Sequence, residues 1–146
     1  LTQRHLDERQ IGVCLDLEER RVEIRVGNDD PVVIRLGQKR GKASLSALQA
    51  AYYSGFLLKT KGHPESENIV SLVKRLYVHL YQAGQKAQRV EGIKPSIKSQ
   101  MNRVIESALK DRGYSMFRAY VCVPDRAETL PLAPEQIEVQ RDIPGA

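Results

Sequence analysis

Hydrogen-bond donors recur along one side of the segment between residues 95 and 113. Amide and guanidinium groups can bond the edges of bases, and ammonium groups can bond phosphates, so these donors suggest nucleic-acid recognition. The candidate contact residues of this segment are Lys98, Ser99, Asn102, Arg103 and Lys110. Every surface helix has a solvated polar side, however, so the alternative remains that these residues bind no ligand.

The segment that carries these donors is predicted to be an amphipathic α-helix over 95–111. Its apolar residues recur at helical spacing on the opposite side, namely Ile97, Met101, Val104, Ile105, Ala108 and Leu109. Pro95 suits the first helical position, and Gly113 suits the end of a helix. We therefore expect the apolar side to pack in the core and the donor side to face solvent.

Positive charge is concentrated in the middle of the chain. The whole sequence has a net charge of +5, whereas residues 37–124 hold 15 Lys and Arg against 5 Asp and Glu, a net of +10. This distribution favours a polyanionic partner, because neutralising phosphates releases their counterions. A basic surface that only serves solubility is the alternative interpretation.

Four further basic residues are candidates for phosphate contacts. Lys39, Arg40 and Lys42 lie in a glycine-containing turn before the first predicted helix, and Lys94 directly precedes the 95–111 helix. The turn resembles a nucleotide-binding P-loop, but it is one residue short and has Ala43 where that loop needs Ser or Thr. We therefore predict a basic turn, and we expect no cofactor.

The composition argues against a membrane or secreted protein. The 146 residues contain no apolar run long enough to span a bilayer, and residues 1–10 lack the apolar region of a signal peptide. Cys14 and Cys122 form neither a metal motif nor a disulfide framework. We expect a cytoplasmic protein with no membrane partner.

Catalytic and metal chemistry find little support in the residue pattern. The histidines, His5, His63 and His79, are scattered over a tail, a loop and a helix. The carboxylates cluster in segments that are typical of solvated turns. We therefore predict no catalytic residue, no metal site and no enzyme activity.

Periodicity predicts the order of the elements. Alternating apolar residues indicate three short strands within 13–36, joined by polar turns as an antiparallel meander. Two helices are predicted over about 44–56 and 66–84, and Ser46 with Gln49 fits a capping box at the start of the first. After the 95–111 helix, alternation over 116–123 predicts a further strand.

This order resembles the winged helix of the response-regulator (OmpR/PhoB) type, which also opens with a small antiparallel sheet. The likeness rests on the start IGVCLDLEERRVEIRV and on the later helix that leads into Arg112-Gly113-Tyr114. The predicted architecture is an α+β winged helix over 11–124, with an N-terminal meander, three helices and a C-terminal strand or hairpin. Residues 1–10 are predicted to be a linker or frayed segment, and residues 125–146 a tail or linker.

The resemblance implies a duplex-DNA-binding domain of a transcriptional regulator or a larger nucleic-acid machine. The 95–111 helix would enter the major groove, and Arg118 would lie in the wing. Because Gly113-Tyr114 follows the helix directly, the wing would be built from residues 115–132. The alternative is a winged helix that docks a protein partner, or a second copy of the chain, within a larger assembly.

Overall fold

A mixed β-sheet with helices packed against it forms this α+β protein, which we describe from a computed structural model. The description covers residues 11–37, 43–62, 69–81, 95–124 and 129–139. The strands are β1 (Ile11–Asp16), β2 (Arg21–Val26), β3 (Val32–Leu36), β4 (Ser44–Leu45) and β5 (Ile137–Val139). Their order across the sheet is β4-β3-β2-β1-β5. The antiparallel meander of β1, β2 and β3 is confirmed, while β4 and β5 add parallel edges.

The sheet has one apolar and one polar face because side chains alternate along each strand. In β2, Val22, Ile24 and Val26 point into the core. On the other face Glu23 lies 3.5 Å from Arg21 and 3.4 Å from Arg25. The arginines of these pairs are 42% and 48% exposed, so solvent screens the pairs and the apolar face contributes most of the stability of the sheet.

The helices are α1 (Ala47–Lys61), α2 (Ile69–Tyr81), α3 (Pro95–Asp111) and the short α4 (Arg118–Val121). A 3₁₀ turn, Ser115–Phe117, joins α3 to α4. The predicted capping box of α1 is confirmed, because the Ser46 and Gln49 side chains each accept from the backbone N–H of the other. Every residue from 50 to 58 is buried, so α1 is a core helix.

A glycine of α1, Gly55, lets α2 approach α1 closely. A Cβ atom at Gly55 would lie 3.0 Å from a Val73 methyl and 3.1 Å from an Ile69 methyl. Ile69 and Val73 are one turn apart on α2, so this turn packs against the α1 backbone itself. The contact buries the apolar side of α2 and leaves Ser71 exposed.

The predicted ends of α3 are confirmed. The helix begins at Pro95, and after Asp111 the chain turns at Gly113, whose φ is +76°. The Gly113 N–H donates to the Lys110 carbonyl (3.0 Å) and the Tyr114 N–H donates to the Leu109 carbonyl (2.9 Å). This is the Schellman pairing that closes a helix, and it favours glycine because of the positive φ.

The strand predicted over 116–123 is wrong. The chain there forms the 3₁₀ turn and α4, and only its last residues are extended. Phe117 and Val121, one helical turn apart, are buried, whereas Ala119 is exposed. The apolar residues of this segment fit both periods, and burial of Phe117 with Val121 favours the helical one.

The tail predicted from residue 125 is also wrong over 129–139. Leu130, Leu132 and Ile137 are buried, and β5 pairs with β1 along the edge of the sheet. The Leu130 N–H donates to the Thr60 hydroxyl at 2.8 Å, which anchors the segment to α1. Among the described residues, β5 is the next strand after α3, and it pairs with β1 rather than with a hairpin partner.

Candidate nucleic-acid interface

The outward side of α3 is a polar line of residues, which we call the α3 stripe. Its members recur every three or four positions, and all of them are exposed: Ser96, Ser99, Gln100, Arg103, Glu106, Ser107 and Lys110. Met101, Ile105 and Leu109 on the opposite side are buried in the core. Three predicted contact residues, Ser99, Arg103 and Lys110, therefore lie on one solvent-facing line about 21 Å long.

Two cations of the α3 stripe are open to a ligand. Within the described ranges, neither Arg103 nor Lys110 forms an ion pair, whereas Glu106 lies 4.0 Å from the Arg118 guanidinium. Arg103 and Lys110 are two helical turns apart, which separates them by about 10 Å along the helix axis. Their side chains can therefore reach two different acceptors of one extended partner.

Lys98 does not face solvent, so its predicted place on the donor side is wrong. Its side chain is 9% exposed, its Nζ donates to the Pro124 carbonyl at 3.1 Å, and the ammonium lies 5.8 Å from the centre of the Phe56 ring. The long apolar stem allows a lysine at the border of a helix face to lie along the core. The Lys98 ammonium therefore contacts groups of the protein itself.

Asn102 is likewise turned towards the protein, and its predicted place on the donor side is wrong. Its Oδ1 accepts from the Val123 N–H at 2.7 Å, and its Nδ2 donates to the Val123 carbonyl at 2.9 Å. The Asn102 amide thus bonds both the N–H and the carbonyl of Val123, as the backbone of a neighbouring strand would. It is a structural group rather than a free donor.

Residues 121–124, which we call the clamped segment, are bonded by side chains of two helices. Besides Lys98 and Asn102 of α3, the Tyr53 hydroxyl of α1 donates to the Val121 carbonyl at 2.6 Å. Burial, with a smaller contribution from Cys122, raises the pKa of Tyr53 above its ordinary value. Burial, reinforced by Glu106 and opposed by Arg118, raises the pKa of the Cys122 thiol to about 12. Both groups are therefore protonated at neutral pH and unsuited to acid–base or nucleophilic roles.

Arg118 lies on α4 and not on a strand of a wing. Its side chain is 67% exposed and its guanidinium approaches Glu106 of the α3 stripe. The physical reason is the helical burial of Phe117 and Val121, which places Arg118 on the outer side of the turn. An exposed cation beside the α3 stripe can still contact a phosphate.

The end of α3 is fixed to the turn between β2 and β3. Arg112 donates to the Asp30 carbonyl at 2.8 Å and to the Pro31 carbonyl at 3.3 Å, and the Tyr114 hydroxyl donates to Asp29. The bond to Asp29 is the largest cause that raises the pKa of Tyr114. From the sequence, Gly113-Tyr114 only limited where a wing could begin, so the anchoring roles of Arg112 and Tyr114 were not predicted.

Gln100 is a member of the α3 stripe that the sequence did not single out. Its Oε1 accepts from Nε2 of Gln49 at 3.0 Å, which joins α3 to the first turn of α1. Helical spacing from Arg103 would have identified it as a neighbour on the same face. Its partner is 51 positions away in the chain and could not be found from spacing.

The other predicted phosphate contacts, Lys39, Arg40, Lys42 and Lys94, lie outside the described residues. So do residues 1–10, which were predicted to be a linker or frayed segment. Among the described residues no group of three or more His, Cys, Asp or Glu side chains could hold a metal ion. No helix in the described ranges has the length and apolar character needed to cross a membrane.

Comparisons with protein-family models, with curated proteins and with solved structures gave no significant match. Function must therefore be inferred from the α3 stripe and its surroundings.

Proposed function

We propose that this domain binds duplex DNA, with the α3 stripe lying in the major groove. One observation carries the proposal: hydroxyl, amide and guanidinium donors share the solvent side of a helix whose other side is buried in the core. An α-helix is about 10–12 Å wide with its side chains, and the major groove of B-DNA is about 12 Å wide. The helix could enter the groove without leaving its place in the fold.

The proposal assigns different roles to the residues of the α3 stripe. Arg103, at the middle of α3, would bond a base, for which guanine O6 and N7 suit a guanidinium. Ser99 would bond a base edge or a phosphate near the start of the helix. Lys110, about 10 Å further along, would bond a phosphate.

Further basic residues of the sequence would add phosphate contacts. These are Lys39, Arg40, Lys42, Lys94 and Arg118, all within the region whose net charge is +10. Each phosphate that a cation neutralises releases counterions, so affinity should fall steeply as salt is raised. A role of this kind suits a cytoplasmic transcription regulator or another nucleic-acid machine.

Lys98 and Asn102 take an indirect part in the proposal. Both hold the clamped segment against α3 and α1, so they keep the α3 stripe in a fixed position. Rigid presentation lowers the entropy cost of binding. Their substitution should change stability first and affinity only through stability.

Fluorescence anisotropy with a labelled duplex, repeated over a range of salt concentrations, tests the proposal. Wild type should bind at low salt, and log K should fall linearly with log salt. Arg103→Ala should weaken binding about tenfold at the preferred sequence with a nearly unchanged salt slope. Arg35→Ala is the matched control, because it removes an exposed arginine from the outer face of β3.

Absence of binding to any duplex at low salt would contradict the proposal. Co-purification of a protein partner in an assembly that resists nuclease would then favour the protein-interaction alternative. Equal losses from Arg103→Ala and Arg35→Ala would also contradict it, since that result would reflect charge alone.

A further inference from the structure

The amide of Gln49 has only one orientation that satisfies its neighbours. The backbone N–H of Ser46 donates to Oε1 of Gln49 at 3.2 Å, and the N–H of Gln49 donates to the Ser46 hydroxyl at 3.4 Å. A backbone N–H can only donate, so the oxygen of the Gln49 amide must face Ser46. Nε2 of Gln49 therefore points away from the start of α1.

The fixed amide of Gln49 in turn orients Gln100. Nε2 of Gln49 is a donor, and the atom it meets at 3.0 Å must be the acceptor Oε1 of Gln100. The NH₂ group of Gln100 is then the part of that amide left to face a ligand on the α3 stripe. Gln100 thus presents hydrogen-bond donors outward, and the capping box of α1 determines this polarity.

We propose that Gln100 is a specificity-determining residue and that Gln49 is a positioning residue which fixes its donor polarity. This inference rests on the proposed DNA contact. A free glutamine reads adenine with both its oxygen and its nitrogen, whereas Gln100 has its oxygen engaged by Gln49. It should therefore prefer guanine or thymine, which present only acceptors in the major groove, to cytosine, which presents only a donor there; adenine, with one of each, should be intermediate.

The position of Gln100 along α3 fits this role. It lies in the second turn, between Ser96 and Arg103 on the α3 stripe. Recognition helices contact base edges mainly with residues near their N-terminal end. The pair joins α1 to α3, so the orientation of the amide depends on the tertiary fold and not on α3 alone.

Selection of binding sites from a randomised duplex library, with wild type and with Gln49→Glu, tests the inference. Glutamate keeps the capping box, because its carboxylate accepts from the Ser46 N–H, but it cannot donate to Gln100. The NH₂ group of Gln100 should then turn towards the carboxylate and expose Oε1. At one base pair the preference should change from guanine or thymine to cytosine, by about tenfold.

Gln100→Ala should abolish the preference at that same base pair and leave the others unchanged. A second measurement leaves the protein untouched: wild type should bind several-fold more weakly to a duplex in which the selected base lacks its major-groove acceptor. Thermal denaturation of each variant establishes that it is folded at the temperature of the selection.

The outcomes distinguish the inference from the proposed function. A selected site that neither Gln49→Glu nor Gln100→Ala changes would overturn the assignment of Gln100 and leave DNA binding intact. Binding of wild type to all duplex sequences alike would also overturn the assignment of Gln100 and leave DNA binding intact. Failure of wild type to bind any duplex at low salt would overturn the proposed function and, with it, this inference.

Discussion

The side chain of Asn102 pairs with the backbone of Val123 through two hydrogen bonds, of 2.7 Å to the N–H and 2.9 Å to the carbonyl. Asparagine reads adenine with the same two atoms, one accepting and one donating. In this protein they are satisfied by an extended peptide instead. The residue best suited by type to read a base therefore holds the helix to its neighbouring segment.

Asn102→Ala should destabilise the fold. It removes both partners of Val123, and leaving such backbone groups unsatisfied costs about 1–3 kcal/mol for each group that water does not reach. We expect the free energy of unfolding, measured by urea denaturation, to fall by about 2–3 kcal/mol.

Ser99→Ala is the control for Asn102→Ala, because Ser99 is an exposed polar residue on the same helix. Its substitution should change stability by about 0.5 kcal/mol or less. Equal effects of the two substitutions would contradict the structural role of Asn102.

Lys98 and Lys110 should respond in opposite ways to replacement by methionine. Lys98→Met keeps the apolar stem but removes the bond to the Pro124 carbonyl, which should lower stability by about 1–2 kcal/mol. Lys110→Met should leave stability nearly unchanged but weaken duplex binding and reduce the salt slope by about one unit. Anisotropy and urea denaturation on both variants make the comparison. If Lys98→Met, at a temperature where it is folded, weakened duplex binding more than Lys110→Met does, the result would support the original prediction that Lys98 faces solvent.

Stability should fall as pH rises above about 10, the ordinary pKa of tyrosine. In the unfolded chain Tyr53 loses its proton there, while burial raises its pKa in the fold and keeps it protonated. The unfolded state then binds fewer protons, so the free energy of unfolding decreases with rising pH. The Cys122 thiol, with its pKa raised to about 12, should add a loss that begins about one unit lower.

Tyr53→Phe isolates the tyrosine contribution. The variant should be less stable than wild type at pH 7, because the bond to the Val121 carbonyl is lost, but the difference should shrink above pH 10. Chemical denaturation at pH 7, 9 and 10.5 provides the measurement. A constant difference between the two proteins over this range would show that Tyr53 does not titrate differently in the fold.

The anchoring of α3 by Tyr114 and Asp29 can be measured with a double-mutant cycle. Tyr114→Phe and Asp29→Asn should each destabilise the protein, and the double variant should lose less than the sum. We expect a coupling of about 1 kcal/mol, since the acceptor is charged but partly solvated. Additive effects would mean that this hydrogen bond does not contribute to stability.

Local signals in the sequence predicted the ends of the elements well. Ser46 and Gln49 indicated the capping box of α1, while Pro95 and Gly113 indicated the two ends of α3. Each of these signals acts within one helical turn, so it can be read without knowledge of the fold. The α+β class and the three-strand meander followed from periodicity in the same way.

Side-chain positions that depend on partners far away along the chain could not be predicted from the sequence. Spacing placed Lys98 and Asn102 on the polar side of α3, but their partners, Pro124 and Val123, come from a segment more than 20 positions later. The segment itself was predicted as a strand, because its apolar residues fit period two as well as a helical turn. A polar side chain at the border of a helix face can turn either to solvent or to a neighbouring backbone, and only the fold decides between them.

The central claim is that the α3 stripe contacts duplex DNA, and an NMR titration of the labelled protein with a duplex at low salt tests it most directly. We expect the largest shift changes at the side-chain signals of Gln100 and Arg103 and at backbone amides from 96 to 110, with little change at Arg35 on the outer face of the sheet. Changes confined to the sheet face, or no changes at all, would contradict the account.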